Sequence, residues 1–326
     1  RGLDPRGVIL CTDDCHSGTL VRDGHMNRVL RHAIACGCDP MIALQMCTIN
    51  TATHFGLERE LGSIAPGRRA DMILTTGFED LPIERVFARG QEVARGGHLL
   101  VNCPHIAWPA SARSSVRLGR DLAASDFEIH AEPGQNTARV RVIGVVETQA
   151  PTRALEADLT VRNGVSEASG EVCHIALVER HRGTGGVTNG FVQGFGYTGS
   201  MAIASTVAHD SHHMIVVGTD RASMAIAANR LAEVGGGITL IRDGREVALV
   251  ELPIAGLMSD RPAREVAQKA DRLGAEMRAS GCSLNNAIMQ HSLLALVVIP
   301  ELRISDLGLV DVTQFSLTDV VIKDNA

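Results

Sequence analysis

Two short stretches hold most of the side chains that could do chemistry. The first, "GVILCTDDCHSGTL" at residues 7–20, runs an apolar segment, Val8 to Leu10, into two adjacent carboxylates, Asp13 and Asp14. Like charges side by side repel and resist desolvation, so paired acids at a strand tip need a reason. An ordinary reason is a helix N-cap with a solvated neighbour. The alternative is a site that uses carboxylates as general acids or bases, or as ligands for a cation. The second stretch is "STVAHDSHH" at residues 205–213, where His209, Asp210, Ser211, His212 and His213 stand in a row between apolar "SMAIA" and "MIVVG". Imidazoles and carboxylates are metal ligands and proton carriers. The row is either such a site or a polar turn satisfied by backbone groups. Spacing alone leaves open whether it holds a metal or caps a substrate pocket.

Other candidates carry weaker signals. Glu179, Arg180, His181 and Arg182 in "VERHRGTGG" fall at a strand end and form either a salt-bridged turn or a pocket edge. His25 follows the acidic loop and faces the same cavity or starts a helix. Cys11 and Cys15, and the Cys36-Gly-Cys38 pair, lack the matching second pair of a zinc site. The eight cysteines therefore read as reduced structural thiols. The glycines of "GVTNGFVQGFGYTG" miss the dinucleotide pattern and read as close backbone packing. Arg68-Arg69 reads as a solvated turn.

The elements around these residues follow from their periodicity. Met26, Val29, Leu30, Ala33 and Ile34 recur at helical spacing, and Gly37 supplies a stop. Asp39 and Pro40 start a second helix as N-cap and first residue, with Ile42, Met46, Ile49 and Phe55 on its apolar face and Gly56 at its end. The acid pair thus lies on a strand-to-helix connection, where parallel α/β architectures build their sites. Ala70 to Leu74 reads as a short strand, and "ERVFARGQEVARGG" as two more joined at Arg89-Gly90. Residues 102–136 read as an irregular linker. Beyond it, "ARVRVIGVVE" and "CHIALVE" are strands, "DRASMAIAANRLAEVGGG" is a helix with a glycine stop, and "GITLIRDGREVALVEL" is a hairpin turning at Asp243-Gly244. Residues 262–280 form an amphipathic helix with Ala263, Val266, Ala270, Leu273 and Met277 on one face.

Composition excludes several classes. The 326 residues are 45% hydrophobic, enough for more than one domain. The 31 basic and 37 acidic residues are well mixed, which argues against a nucleic-acid footprint, and aromatics at 3% argue against stacking platforms. No long apolar run or signal peptide is present, so no membrane partner is expected and a cytoplasmic location is.

Taken in order, strand–"TDD", helix and "TINTATHFGLERELGSIAPGRRADMIL" resemble the closing segment of the amidohydrolase superfamily. The later stretches "ALVERHRGTGGVTNGFVQGFG", "GSMAIASTVAHDSHHMIVVGT", "ELPIAGLMSD" and "LALVVIPELRISDLGLVDV" resemble the C-terminal domain of the bacterial adenine deaminase family. His213 stands where that family usually carries asparagine. The resemblance implies an α/β protein with the C-terminal end of a (β/α)8 metal-dependent hydrolase barrel at 1–58 and a small β domain segment at 59–101. After the linker at 102–136, a C-terminal α/β domain would fill 137–326.

The family implies hydrolytic deamination of adenine to hypoxanthine and ammonia, with one or two divalent ions, manganese or iron, or else zinc. It implies that Asp13 is general base and metal ligand, and that Asp14 contacts the purine. His209, Asp210, Ser211 and His212 are then substrate-binding candidates, with His209, His212 and His213 as metal alternatives. The other metal ligands would precede residue 1, leaving this chain alone inactive, and a homo-oligomer, dimer or larger, is expected. A different amidohydrolase acting on a cyclic amide or N-acyl substrate, or a non-catalytic purine-binding protein, are the alternatives.

Overall fold

A computed structural model describes residues 4–78, 80–104 and 106–323. The chain divides into two units, residues 1–107 and 108–326.

The first unit opens with four helices, α1 (Ser17–Arg22), α2 (Met26–Ala35), α3 (Pro40–Cys47) and α4 (Ile49–His54). Leu30 of α2 packs with Ala43 of α3 and with Leu81 in a small core. Asp39 caps α3 as its sequence promised: Oδ1 accepts from the Met41 and Ile42 amides at 2.9 and 3.0 Å. The single helix expected after Asp39 is instead two. Thr48 breaks it at φ −128° and turns its hydroxyl onto the Leu44 carbonyl, four residues back, at 2.7 Å.

An antiparallel sheet follows, ordered β1 (Met72–Thr75), β2 (Ile83–Ala88), β3 (Gln91–Arg95) and β4 (His98–Leu99). Arg89 and Gly90 join β2 to β3 with both φ values positive, at 51° and 82°. That is the twist-matched geometry of a two-residue hairpin turn. The strand expected at Val8 to Leu10 does not form. A strand exists only by pairing, and among the described residues no strand pairs with this segment. Its polar groups are held locally instead: buried Asn50 donates to the Pro5 and Val8 carbonyls at 2.8 and 2.9 Å, and the Leu10 amide to Met46.

The second unit begins inside the segment expected as a linker. That segment is irregular, with a short helix α5 (Ala110–Arg113), yet Leu118, Leu122, Phe127 and Ile129 are all buried. Asn229 clasps it, exchanging two hydrogen bonds of 2.9 Å with the backbone of Leu122.

Nine strands then form one sheet: β5 (Thr137–Gly144), β6 (Arg153–Arg162), β7 (Val165–Ser166), β8 (Val172–Val178), β9 (Val187–Gln193), β10 (Met201–Ser205), β11 (Met214–Gly218), β12 (Gly237–Arg242) and β13 (Arg245–Glu251). Their spatial order is β13-β12-β10-β11-β8-β9-β5-β6-β7, antiparallel except where β5 meets β9. Helix α6 (Arg221–Val234) covers one face; α7 (Ala263–Ala279) and α8 (Ala287–Leu293) lie in the core of the other. Side chains alternate accordingly: Ile215 and Val217 point to the α7 side, Met214 and Val216 to the α6 side. With both faces covered, the central strands are mostly apolar, and all seven residues of β8 are buried, His174 among them. A three-stranded sheet, β14 (Leu302–Ser305), β15 (Gly308–Asp311) and β16 (Ser316–Thr318), ends the described chain.

Leu231 of α6 is fully buried against the nine-stranded sheet. Leu231→Ala is expected to cost about 2–5 kcal/mol, read as a lowered urea midpoint with an unchanged denaturant slope.

Candidate functional site

Sheet register brings the two weaker and stronger motifs of the second unit together. β10 and β11 pair with Ser205 opposite Ile215, so Thr206 to His213 is the loop between neighbouring antiparallel strands. β11 also pairs with β8, setting Met214 opposite Val178. The end of the 206–213 loop therefore lies beside the start of the β8–β9 connection, Glu179 to Gly186. The β14–β15 turn adds Asp306, whose carbonyl accepts from Thr188 of β9 at 3.0 Å.

Several groups of the 206–213 loop are held by hydrogen bonds. Thr206, wholly buried, accepts from the Gly237 amide at 2.8 Å and donates to the Gly256 carbonyl at 2.5 Å. The His209 amide donates to Ser292 and the His212 amide to Ala208. His181 Nε2 donates to the Ser211 carbonyl at 2.8 Å, and Arg180 Nε to the His212 carbonyl at 2.5 Å. His212 itself sits at φ 51°, the left-handed region that non-glycine residues adopt at some cost. A loop tied this firmly by its main chain can present its side chains in one arrangement.

Those side chains fall into two groups. His209 and His212 form the first, with ring centroids 5.7 Å apart and Asp210 Oδ1 3.5 Å from His209 Nδ1. Asp210 and Ser211 are exposed. Burial, then the neighbouring His209 and Arg180, push His212 below the ordinary histidine pKa, which favours a neutral ring. His213 joins the second group. Its ring lies 4.7 Å from that of His181, its Nε2 is 3.6 Å from Asp306, and its Nδ1 has no hydrogen-bond partner. Burial lowers its pKa, and the Asp306 carboxylate opposes the shift. This second group lines a cavity of about 360 Å³ together with Glu179, Arg182 and Thr184.

Glu179 shapes the wall of that cavity. Its Oε1 accepts from the His181 and Arg182 amides at 2.5 and 2.7 Å, and its Oε2 from the Thr184 amide and hydroxyl at 3.1 Å. Burial alone would raise its pKa, but these donors bring it down to about 2. So "VERHR" is a pocket edge, and its turn is tied by amides and the Thr184 hydroxyl where a salt bridge was the expected alternative. Asp306 was invisible in the sequence, because "SDLG" reads as any hairpin turn.

In the first unit, Asp13 and Asp14 are exposed in a loop, with Asp13 at φ 52° and its Oδ1 accepting from the Asp14 amide at 2.7 Å. His25 does face this loop: its Nε2 lies 3.3 Å from the Thr12 hydroxyl. Neither acid is the N-cap of α1, a place taken by His16. Among the described residues, no three His, Cys, Asp or Glu side chains gather to hold a metal ion. An exposed, oriented carboxylate at a loop tip fits the part of one donor to a hard divalent cation. All eight cysteines are free thiols.

Comparison with known proteins adds the family. The model of the adenine deaminase C-terminal domain matches residues 149–316. The chain belongs to the adenine deaminase C-terminal domain family. An amidohydrolase family model matches residues 2–93. The adenine deaminase of Ruegeria pomeroyi is 72% identical over 98% of this chain and 54% of its own length. That of a Ruegeria species is 71% identical over 98% and 53%, and that of Moorella thermoacetica 44% over 98% and 54%. The chain thus spans about half the length of these relatives. A mixed α/β architecture with an amidohydrolase-family segment agrees with the expected class, and no helix among the described residues is long and apolar enough to cross a membrane.

The Glu179 turn generates a pH test. A carboxyl held at about 2 against an ordinary 4.5 stabilises the fold fully above pH 4.5, and that contribution is lost as pH falls toward 2. Glu179→Gln is expected to lower stability at neutral pH by about 1–3 kcal/mol and to flatten its acid dependence in that window, as followed by urea denaturation across pH.

Proposed function

We propose that this protein hydrolyses adenine to hypoxanthine and ammonia. The observation that carries the reading is 71–72% identity to adenine deaminases over 98% of the chain. That similarity spans both the acidic loop and the histidine loop. In the reaction, water oxygen adds to the purine carbon that bears the amino group, and the bond from that carbon to nitrogen then breaks. Asp13 takes the proton that water loses and hands it to the departing amine, which leaves as ammonia. Its exposure at a loop tip, with one oxygen steadied by the Asp14 amide, suits a group that must accept and release a proton in turn.

A divalent ion, manganese or iron, or else zinc, would make water acidic enough to react at neutral pH and would hold Asp13 ionised. Asp13 is the donor the acidic loop offers to it. Asp14 faces the base, where an ionised carboxylate accepts a hydrogen bond from a ring nitrogen or the amino group. His209, Asp210, Ser211 and His212 contact the purine, in their own subunit or in a neighbour's. His209, His212 and His213 are the imidazoles available should a second ion bind there. Oligomerisation and a cytoplasmic location accompany this reading.

Two variants of the full-length, metal-loaded protein test it. Asp13→Asn keeps the shape but loses the proton acceptor, so ammonia release from adenine should drop about 10²-fold or more. Near-normal turnover at full metal occupancy would remove Asp13 from its role. The double variant His209→Gln/His212→Gln should lower turnover while its thermal midpoint stays near that of the parent, because both rings are only partly buried. Unchanged kinetics would return the loop to a structural one.

A further inference from the structure

Arg180 is 1% exposed, one of the largest wholly buried side chains of the described residues, and it has no carboxylate partner. The adjacent Glu179 places both oxygens on donors of its own turn. The guanidinium donates only to carbonyls, and these belong to three separate segments. Nε reaches His212 at 2.5 Å, Nη1 reaches Ser115 at 3.3 Å and Nη2 reaches Ala255 at 3.1 Å. The Arg180 carbonyl in turn accepts from the Arg117 amide at 2.9 Å.

An unpaired buried cation is costly, and a planar fork of donors is what makes this one tolerable. Gly256 keeps the slot open. A Cβ there would come within 2.7 Å of Arg180 Nη1. A second buried arginine, Arg303, binds the carbonyls of Ile299, Leu293 and Ala150 in the same manner, but none of these belongs to the histidine loop. Arg180 alone of the two grips that loop directly, at the residue whose backbone is left-handed.

We propose that Arg180 is a positioning residue for the reaction: its hydrogen bond to the His212 carbonyl holds the 209–212 loop so that His209, Asp210 and His212 are presented in one arrangement. This rests on the reading that the loop contacts the purine. Arg180 touches no reacting atom. It acts by denying the loop alternative conformations, and displacement of contacting groups by about an ångström is enough to cost up to about 10²-fold in rate.

The test uses Arg180→Lys, Arg180→Met and Gly256→Ala in the full-length, metal-loaded protein, with kcat and KM for adenine measured where circular dichroism shows each variant folded. Amide hydrogen exchange over residues 206–214 reports loop order. In Arg180→Met, kcat is expected to fall about 10- to 100-fold and KM to rise about tenfold, with faster exchange in the loop. A mere loss of folded molecules would leave KM unchanged. Arg180→Lys keeps the charge but reaches fewer carbonyls, and should recover part of the loss. Gly256→Ala crowds the guanidinium without removing it and should move the same quantities less. If Arg180→Met does not fold, these two variants decide.

Faster loop exchange with unchanged kcat and KM would overturn the proposal, as would kinetic losses without any change in loop exchange. The double variant His209→Gln/His212→Gln separates the two levels. If it is silent, the loop reading itself fails and Arg180 with it. If it lowers turnover while the folded Arg180 variants do not, only the positioning role falls.

Discussion

Pairing β11 with β8 in the register that sets Met214 opposite Val178 brings the end of the 206–213 loop beside the Glu179 turn. All five residues of β11 and all seven of β8 are buried, with apolar side chains packed on both faces. A slip of one residue would exchange Met214 and Val216 for Ile215 and Val217 on each face, and both cores would be wrong together. The register is therefore set by packing. The loops at the strand ends inherit their positions from it, and Ala208 and Val207 of the 206–213 loop add apolar contacts with the core.

That inheritance explains why so many charged and polar groups can sit at this end of the sheet. A titratable side chain in a mobile loop loses conformational entropy each time it is fixed. Here the main chain of the 206–213 loop is fixed first, by Thr206, Ser292, His181 and Arg180, and the side chains follow. Glu179 does the same for the β8–β9 connection with four hydrogen bonds to one carboxylate. Both anchors, Glu179 and Arg180, are charged and adjacent, yet each satisfies itself on backbone groups. This leaves His181, His213 and Asp306 around the cavity without a strong ion pair to close it.

Much of this was legible in the sequence, and what was not has a physical reason. Asp39-Pro40, Asp243-Gly244 and the glycines after α2 and α6 are local signals, and the structure uses them where they stand. β12 and β13 turn through Asp243 and Gly244 at φ 50° and 72°, as the dipeptide requires. The helix break at Thr48 escaped notice, because a threonine hydroxyl bonding back to the Leu44 carbonyl leaves no mark on apolar spacing. Val8 to Leu10 looks like a strand by composition, but pairing is not a property of three residues. Leu118, Leu122 and Phe127 escaped as core residues because they plug the sheet one at a time, without a period. At the site, the row 209–213 stood out by density alone. Its division into two groups did not, since that depends on which neighbours each ring meets. Arg180 and Asp306 carry no local signal at all.

The acidic loop of the first unit shows the opposite economy. Asp13 and Asp14 lie exposed, with left-handed backbone at Asp13 and its Oδ1 accepting from the next amide. Nothing apolar buries them, so their mutual repulsion is screened by water and costs the fold little. The structural reason for such a pair, helix capping, is absent, since α1 is entered through His16. Carboxylate capping of α1 therefore does not account for the left-handed backbone at Asp13. The Thr12 hydroxyl and His25 Nε2, 3.3 Å apart, link the start of this loop to the entry of α2. The two loops thus differ in how they are held: that of residues 206–213 is tied through its main chain to a deep core, and the acidic loop lies at the surface.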